Sequence, residues 1–349
     1  MPNRILTEAI DALASRRDLS AEQSARVLAE IMHGEVSETQ IAGFLIALRT
    51  KGETVQELVG LARTMRELAT PVAVDRDDLL DTAGTGGGRR TFNVSTTAAL
   101  VAAGAGCAVA KHGNRSATSS SGSADLLEAL GARIDLPPQG VACCIAEAGF
   151  GFMFAPAHHR ATRFVVPVRR ELAVRTIFNL LGPLTNPAGA SRQLIGVAEA
   201  SFLERIAGAL AQLGVGRALV VAGEDGLDEV SICAPTQVVE VNGEEISRYT
   251  MTPAELGVSA ADPGDPALDG RSPAQNAEVT RSVFAGRDGA CADLVAINAG
   301  AAIYAAGAVA TIAEGVELAR ETIASGRAAE ALERFVSASR RHAPEQVAG

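Results

Sequence analysis

The chain has 349 residues, of which 47% are apolar, and its formal net charge at neutral pH is −10. A chain of this length can bury one large core or two smaller ones. Its acidic balance argues against a broad basic surface for nucleic acid, so a small ligand is expected.

The five cysteines are an odd number and include no C-x-x-C pair, so we expect reduced, mostly buried thiols rather than a disulfide framework or a zinc site. The first twenty residues predict an amphipathic helix with acids and bases, which is unlike a secretory signal. No apolar run is long enough to span a bilayer. A cytoplasmic location is therefore expected.

Residues 1–72 are predicted to form a small helical domain. Ser20, Ser37 and Thr54 each precede a Gln or Glu by three positions, which is typical of a capped helix start. Residues 169–189 interrupt the later pattern with a helix-like start and two prolines. We expect this segment, with helices within 170–190, to join the helical domain.

Residues 73–349 show the pattern of an α/β fold. Short apolar runs end in Gly or Pro and alternate with Ala/Leu-rich stretches. The predicted strands are LLDTAG, CAVAK, ARIDL, GFMFA, QLIGV and ALVVAG. Residues 252–277 are rich in Pro, Gly and Asp and predict a surface excursion, after which sheet-like sequence resumes at LVAINAG. The fold class is thus α/β with a mostly parallel central sheet, preceded by a helical bundle.

The stretch DTAGTGGGRRTFNVST, residues 81–96, has four glycines in five positions. We call residues 84–90 the glycine loop. Glycines let backbone N–H groups approach a ligand, and a helix capped by Ser95 or Thr96 would aim its positive end at the same place. Phosphate or pyrophosphate fits best, although a tight strand-to-helix turn is the alternative. Neither the Walker A nor the dinucleotide pattern is met.

A second loop, AKHGNRSATSSSGSAD at residues 110–125, combines Lys111 and Arg115 with a run of hydroxyl side chains. It predicts a second anion site at a helix start; a flexible serine-rich loop or a solvated basic turn are the alternatives. His112 alone is more often a structural residue than a base.

Two further stretches carry chemistry. Asp228 and Glu229 follow the strand ALVVA, where α/β ligand sites form, and adjacent carboxylates suit Mg²⁺; a solvated acidic turn is the alternative. Arginines near apolar residues at 160–170 suit a carboxylate ligand. Metalloprotease and serine-hydrolase motifs are absent from the sequence.

Together these stretches resemble the anthranilate phosphoribosyltransferases along nearly the whole chain. The most specific segments are KHGNR and NLLGPLTNP, supported by DGLDE and NAGAAIY. The resemblance implies a fold similar to that of pyrimidine-nucleoside phosphorylases and homodimers formed through the helices. It also implies Mg²⁺-dependent transfer of phosphoribose from phosphoribosyl pyrophosphate (PRPP) to anthranilate in tryptophan biosynthesis. A nucleoside phosphorylase of the same fold and a non-catalytic nucleic-acid-binding relative are the alternatives.

The resemblance also implies roles for individual residues. Residues expected at PRPP are Gly84, Gly87, Gly88, Thr91, Asn93, Ser95, Thr96, Lys111, Ser119 and Ser123. Residues expected at anthranilate are Gly84, His112, Asn114, Arg169 and Pro183. Residues expected at Mg²⁺ are Ser95, Asp228 and Glu229. Residues expected to act in catalysis are Lys111, Asn114 and Arg169.

The glycine loop departs from the family pattern. Relatives commonly read GTGGDG with one residue more before TFN, whereas this chain has Gly88 in place of the Asp. Our hypothesis is that Arg89 or Arg90 reaches the pyrophosphate instead; the alternative is that both arginines point to solvent.

Overall fold

The computed structural model describes residues 2–116 and 120–344. Its N-terminal part is helical, and the predicted helix starts are confirmed: Ser20, Ser37 and Thr54 each accept a hydrogen bond from the backbone N–H three residues later. These bonds satisfy N–H groups that a helix start otherwise leaves unpaired. The four helices are α1 (Arg4–Ala14), α2 (Ala21–His33), α3 (Glu38–Lys51) and α4 (Val55–Glu67).

Two helices from the middle of the chain pack on this bundle. Helix α9 (Val166–Leu172) contacts α3, and α10 (Phe178–Leu184) contacts α4. Leu181 and Phe44 belong to one buried apolar cluster, which continues onto one face of the sheet. The division of the chain into domains at 1–72 and 73–349 stays a prediction.

A seven-stranded sheet forms the centre of the remaining chain, in the order β3-β2-β1-β4-β5-β6-β7. The first five strands in this order are parallel, and β6 and β7 are antiparallel, which confirms the mostly parallel sheet. The strands are β1 (Leu80–Gly84), β2 (Val109–Gly113), β3 (Phe150–Phe154), β4 (Arg192–Gly196), β5 (Arg217–Gly223), β6 (Thr236–Asn242) and β7 (Glu245–Met251).

Helices cover both faces of the sheet, as parallel strands require. One face packs against α5, α7, α13 and α15, and the other against α10 and α11. The helices not yet given are α5 (Val94–Gly104), α6 (Ser123–Ala129), α7 (Pro138–Ala148), α8 (Ala155–His158), α11 (Leu203–Gln212), α12 (Pro273–Phe284), α13 (Ala290–Ala305), α14 (Ile312–Ala324) and α15 (Arg327–His342). Among the described residues, no helix combines the length and apolarity needed to cross a membrane.

Two predictions about the sheet were wrong, and one hairpin was not predicted. Residues 132–136 form no strand, and LVAINAG lies in α13. That helix is buried on nearly all sides, so its apolar residues do not recur at helical spacing. Its sequence therefore cannot be distinguished from that of a buried strand. The hairpin β6–β7 was missed. Its two-residue loop, Gly243-Glu244, begins with a glycine at φ = +61°, but the exposed and mostly polar β7 gives no apolar run to predict a strand.

The cysteine prediction was partly wrong. All five cysteines are free, but only Cys107 and Cys144 are buried, while Cys143, Cys233 and Cys291 are partly exposed. Cys233 and Cys291 pack against the edge of the main apolar cluster, and Cys143 lies on α7, so each is only partly covered.

Candidate functional site

The glycine loop lies at the carboxyl end of β1, beside the end of β4. Gly84 pairs with Gly196 of β4, and the N–H of Thr85 donates to the Gly196 carbonyl over 2.9 Å. From β1 the chain runs outward to β2 and β3, whereas β4 and β5 lie on its other side. The strand order therefore reverses between β1 and β4, which is where open α/β sheets form their ligand crevice.

The loop carrying Asp228 and Glu229, residues 224–229, lies over this crevice; we call it the acidic loop. The carbonyl oxygen of Asp228 occupies the space of a side chain at Gly196, since an added Cβ there would lie 1.5 Å from it. The Asp228 Oδ2 atom accepts a hydrogen bond from the Gly86 N–H over 2.9 Å. The structure thus brings the acidic loop and the glycine loop together.

Glycine is required at two positions of the glycine loop for different reasons. Gly87 has φ = +86°, a left-handed conformation that side chains resist. Gly84 lies so close to Asp228 that an added Cβ would come within 2.7 Å of its Oδ2 atom. The close approach of Asp228 at Gly84 and the left-handed backbone at Gly87 explain why these two positions carry no side chain.

The carboxylates of Asp228 and Glu229, two of the four in the acidic loop, are largely withdrawn from water. The Glu229 Oε1 atom accepts a long bond of 3.4 Å from the Thr91 hydroxyl, and the buried Oε2 atom has no hydrogen-bond partner among the described residues. Burial and the neighbouring Asp228 raise the pKa of Glu229 well above its ordinary value, and burial also raises the pKa of Asp228. Such a pair calls for a cation.

The donor set fits Mg²⁺. Within the described ranges, no three His, Cys, Asp or Glu side chains are grouped to hold a metal. A cation at Asp228 and Glu229 would therefore complete its shell with other oxygens, and Mg²⁺ characteristically uses one or two carboxylates together with water and substrate phosphate. No described hydrogen bond joins Ser95, the third predicted metal residue, to this pair.

The start of α5 differs from the prediction. Asn93, not Ser95 or Thr96, is the N-cap residue, and its side chain does not cap the helix. Instead its Nδ2 group donates to the Ser121 carbonyl over 3.0 Å, and its Oδ1 atom accepts from Asn276 over 2.9 Å. Tertiary contacts thus draw the amide away from the helix, and the first-turn N–H groups receive no bond from it.

Lys111 lies on β2 beneath this helix start. Its ammonium group donates to the carbonyl and the hydroxyl of Thr82, and that hydroxyl donates to the carbonyl of Ser95 over 2.9 Å. The side chain is buried, with 1% of the residue exposed. Burial lowers the pKa of Lys111 to about 8, while the buried carboxylate of Asp81 acts in the opposite direction.

His112 points to the opposite face of the sheet from Lys111, as alternation along a strand requires. Its Nδ1 atom lies 3.2 Å from the carbonyl oxygen of Gly182, and its ring centre lies 5.1 Å from that of His159. Burial lowers the pKa of His112 to about 3. The imidazole is therefore neutral near pH 7, with the proton on Nδ1 facing the carbonyl.

The buried histidines predict a loss of stability in mild acid. Burial lowers the pKa of His159 to about 4, so the unfolded chain, with an ordinary value near 6.5, takes up a proton first. This stabilisation is complete above about pH 6.5 and is lost as the pH falls towards 4. At pH 5.5 one such histidine costs about 1.4 kcal/mol.

Replacing His159 with Gln should therefore reduce, by about 1.4 kcal/mol, the fall in unfolding free energy between pH 7.5 and 5.5. Urea unfolding at the two pH values measures this. Buried carboxylates with a raised pKa make the unfolding free energy change with pH in the opposite direction. Their contribution is the same in the variant and the wild type, so it cancels when the two proteins are compared. An equal fall in both proteins would contradict the assignment.

The remaining predicted residues lie on the second loop or in α9 and α10. The Arg169 guanidinium lies 5.5 Å from the centre of the Phe178 ring, and burial lowers its pKa. Pro183 is buried within α10. Asn114 is exposed, Ser123 begins α6, and Ser119 lies outside the described residues.

Sequence analysis missed Arg175. Its guanidinium lies against the glycine loop, because a Cβ added at Gly87 would be 2.9 Å from its NH1 group. It pairs with Glu199 over 3.2 Å and opposes the rise in the pKa of Asp228. Its position in RRELAVR gave no signal, since only the turn between α9 and α10 brings it to the loop.

Sequence analysis also missed the contribution of residues 252–277. Thr91 pairs with Asp269 in an isolated bridge, and Leu268 is buried in the main core. The segment predicted as a surface excursion thus returns to support the residues between the glycine loop and α5.

Comparison with known proteins relates nearly the whole chain to one family. Residues 7–69 match the model of the glycosyl transferase family helical bundle domain, and residues 76–329 match that of the family's a/b domain. The anthranilate phosphoribosyltransferase of Rubrobacter xylanophilus is 52% identical over 97% of this chain and 98% of the relative.

Solved structures agree in fold over nearly the full length. The crystal structure of anthranilate phosphoribosyltransferase from Thermus thermophilus has 48% identity and a TM-score of 0.89, covering 95% of this chain and 99% of that one. The Saccharomyces cerevisiae enzyme in complex with PRPP and Mg has 27% identity and a TM-score of 0.87, covering 96% and 98%. The chain therefore belongs to the glycosyl transferase family with a helical bundle and an α/β domain, and within it to the anthranilate phosphoribosyltransferases.

Proposed function

We propose that this chain transfers the phosphoribosyl group of PRPP to the amine of anthranilate, with release of pyrophosphate, in tryptophan biosynthesis. The observation that carries the proposal is the meeting of the glycine loop and the acidic loop over the crevice between β1 and β4. Family membership supports the same reaction. The cytoplasmic location expected from the sequence stays a prediction.

The PRPP site is proposed along the glycine loop and the first turn of α5. Backbone N–H groups at Gly87 and at the helix start suit pyrophosphate and phosphate oxygens, because both present fixed positive dipoles to an anion. The hydroxyl of Thr96 is buried without a partner among the described residues, which supports a ligand role there. The other residues proposed for PRPP are Gly84, Gly88, Thr91, Asn93, Ser95, Lys111, Ser119 and Ser123.

The cation site is proposed at Asp228 and Glu229, with Ser95 as a further ligand. The buried and unpartnered Oε2 atom of Glu229 supports this assignment. When bound, Mg²⁺ supplies positive charge that stabilises the leaving pyrophosphate.

The anthranilate site is proposed between the second loop and α9–α10. Arg169 keeps a positive charge in a largely apolar setting, which suits a carboxylate on an aromatic ring. Gly84, His112, Asn114 and Pro183 complete the proposed site. The low basicity of His112 agrees with a reaction that needs no strong base, because the aromatic amine is already uncharged at neutral pH.

Catalysis is proposed to rest on orientation and on charge stabilisation. Asn114 and Arg169 would hold the amine facing the anomeric carbon, which removes much of the entropic barrier. Lys111 and the loop N–H groups would stabilise the charge that develops on the leaving pyrophosphate. The C–N bond forms at the anomeric carbon as its bond to the pyrophosphate oxygen breaks.

The test is the loss of anthranilate fluorescence on addition of PRPP, with and without Mg²⁺. We expect Mg²⁺-dependent consumption of anthranilate and stoichiometric release of pyrophosphate. A folded sample that consumes no anthranilate with Mg²⁺ present, but cleaves nucleosides with phosphate, would instead indicate a nucleoside phosphorylase.

A homodimer formed through the helical part is also proposed. Four of the five exposed large apolar side chains among the described residues lie on or beside α3, α4 and α9, namely Ile46, Leu68, Val166 and Val174. Light scattering should give twice the chain mass of 35.8 kDa. We expect Ile46→Glu to weaken the dimer and Ile246→Glu, on β7, to leave it intact; a monomeric wild type would refute the proposal.

A further inference from the structure

One of the two alternatives given above was that Arg89 and Arg90 both point to solvent. The structure contradicts it for Arg89. Its NH1 group lies 3.2 Å from the Asp225 Oδ2 atom, and the side chains of Arg89 and Asp225 are 21% and 7% exposed. Its backbone N–H donates to the Gly226 carbonyl over 2.8 Å. Both the backbone and the side chain of Arg89 thus join the glycine loop to the acidic loop, 136 residues further along the chain.

Asp225 is itself held firmly. The Oδ2 atom that contacts Arg89 also accepts a bond from the Ser231 hydroxyl over 2.9 Å. The Ser231 oxygen in turn accepts from the N–H groups of Cys233 and Ala234, and the Ser231 N–H donates to the hydroxyl of Thr236 at the start of β6. Arg89 therefore contacts a carboxylate that is anchored to the sheet.

The position before Arg89 allows no side chain. A Cβ added at Gly88 would lie 2.7 Å from the Gly226 carbonyl oxygen and 3.0 Å from the Asp228 Oδ1 atom. The Asp that the family pattern carries here would collide with the acidic loop in this arrangement. Relative to the family pattern, Gly88 removes a side chain that would block the contact, and Arg89 supplies an ion pair across it. Both residues therefore belong to one local change, which lets the shortened glycine loop pack directly on the acidic loop.

The contact between Arg89 and Asp225 leaves part of each side chain unpaired. The Arg89 NH2 group and the Asp225 Oδ1 atom are both buried without hydrogen-bond partners among the described residues. The pair therefore retains one donor group and one acceptor atom that no described residue uses.

We propose that Arg89 is a positioning residue: by pairing with Asp225 it holds the glycine loop on the acidic loop in the arrangement that receives Mg²⁺ and PRPP. This inference rests on the proposed function. It assigns Arg89 an indirect role through Asp225, in place of direct contact with pyrophosphate. Arg90, which is exposed, has no part in it.

The test is calorimetric titration of PRPP in the presence of MgCl₂, without anthranilate. We expect Arg89→Ala and Asp225→Asn each to weaken binding about tenfold. The double variant should bind no more weakly than either single variant, since both remove the same pair. The reversed pair, R89D/D225R, should recover part of the loss. The matched control is Arg90→Ala, which should bind within about twofold of the wild type.

Steady-state kinetics supply a second readout. We expect Arg89→Ala to raise the KM for PRPP and the Mg²⁺ concentration for half-maximal rate, while the KM for anthranilate stays unchanged. Arg89→Lys retains the charge, so its KM for PRPP should lie between those of the wild type and Arg89→Ala. If Arg89→Ala does not fold, Arg89→Lys is measured in its place.

Three outcomes would overturn the inference. The first is that Arg89→Ala binds PRPP as tightly as Arg90→Ala does. The second is that Arg89→Ala loses affinity and Asp225→Asn does not, which would indicate direct contact of Arg89 with PRPP. A wild type that binds no PRPP would overturn both the inference and the proposed function, whereas a wild type that binds PRPP but leaves anthranilate unconsumed would overturn only the proposed function.

Discussion

Replacing Lys111 with Met should lower kcat by about 10²- to 10³-fold, the usual effect of removing one group that stabilises transition-state charge. The KM for anthranilate should change little, because the ammonium lies beneath the start of α5, on the opposite face of β2 from His112. Initial rates at saturating PRPP and Mg²⁺ measure the effect. A normal kcat would contradict the role of Lys111.

The pH profile gives a separate test of the same residue. Since the pKa of Lys111 is lowered to about 8, the ammonium form predominates below pH 8 and is lost as the pH rises through 8. The wild-type kcat/KM for PRPP should fall on that alkaline side. The residual activity of Lys111→Met should lack this fall.

Stability requires its own control. Removing Lys111 takes away the positive charge that opposes the burial-driven rise in the pKa of Asp81. The unfolding free energy should therefore fall as well, because a buried carboxylate without a nearby cation is destabilising. The double variant D81N/K111M should recover stability but not kcat. Lys51→Met is the matched control: this lysine is also buried and pairs with Asp18 and Glu57 in the helical part, so it should lower stability and leave kcat unchanged.

Replacing Glu229 with Gln should have opposite effects on activity and stability. The activity should fall by about 10²-fold or more if Glu229 holds the cation that stabilises the leaving group. The unfolding free energy without Mg²⁺ should rise by about 0.5–2 kcal/mol, the range seen when a strained functional group is relieved. Urea unfolding at pH 7.5 and initial rates measure the two effects.

The sign follows from the direction of the pKa shift. The folded pKa of Glu229 lies above its unfolded value, so the ionised carboxylate destabilises the fold at neutral pH. That cost is relieved as the pH falls from the folded pKa to the unfolded one. Gln is nearly isosteric and removes the charge at every pH.

The stabilisation caused by bound Mg²⁺ and PRPP shows whether Glu229 binds the cation or is only a strained residue. Mg²⁺ with PRPP should raise the Tm of the wild type, because a ligand that binds only the folded state stabilises it. The rise should be much smaller for Glu229→Gln. An equal rise in both proteins would show that Glu229 is not needed for binding. Glu224→Gln, an exposed change in the same loop, is the matched control.

Features that depend on neighbours in the chain were readable from the sequence. The helix starts at Ser20, Ser37 and Thr54 need only a bond to the N–H three residues later, so the local pattern suffices. The glycine loop was recognisable because glycine is the residue that permits its conformation. The motifs KHGNR and NLLGPLTNP identified the family for a similar reason, since they are short and specific.

Features that depend on distant contacts were decided by the tertiary structure. The buried helix α13 was mistaken for sheet because burial on all sides removes its amphipathic period. The N-cap of α5 moved to Asn93, whose amide is bonded to Ser121 and Asn276. Arg89 found its partner in Asp225 only because the strand order places the ends of β1, β4 and β5 side by side. Local hydrogen bonds join residues a few positions apart, whereas the order of strands in a sheet is set by packing across the whole chain.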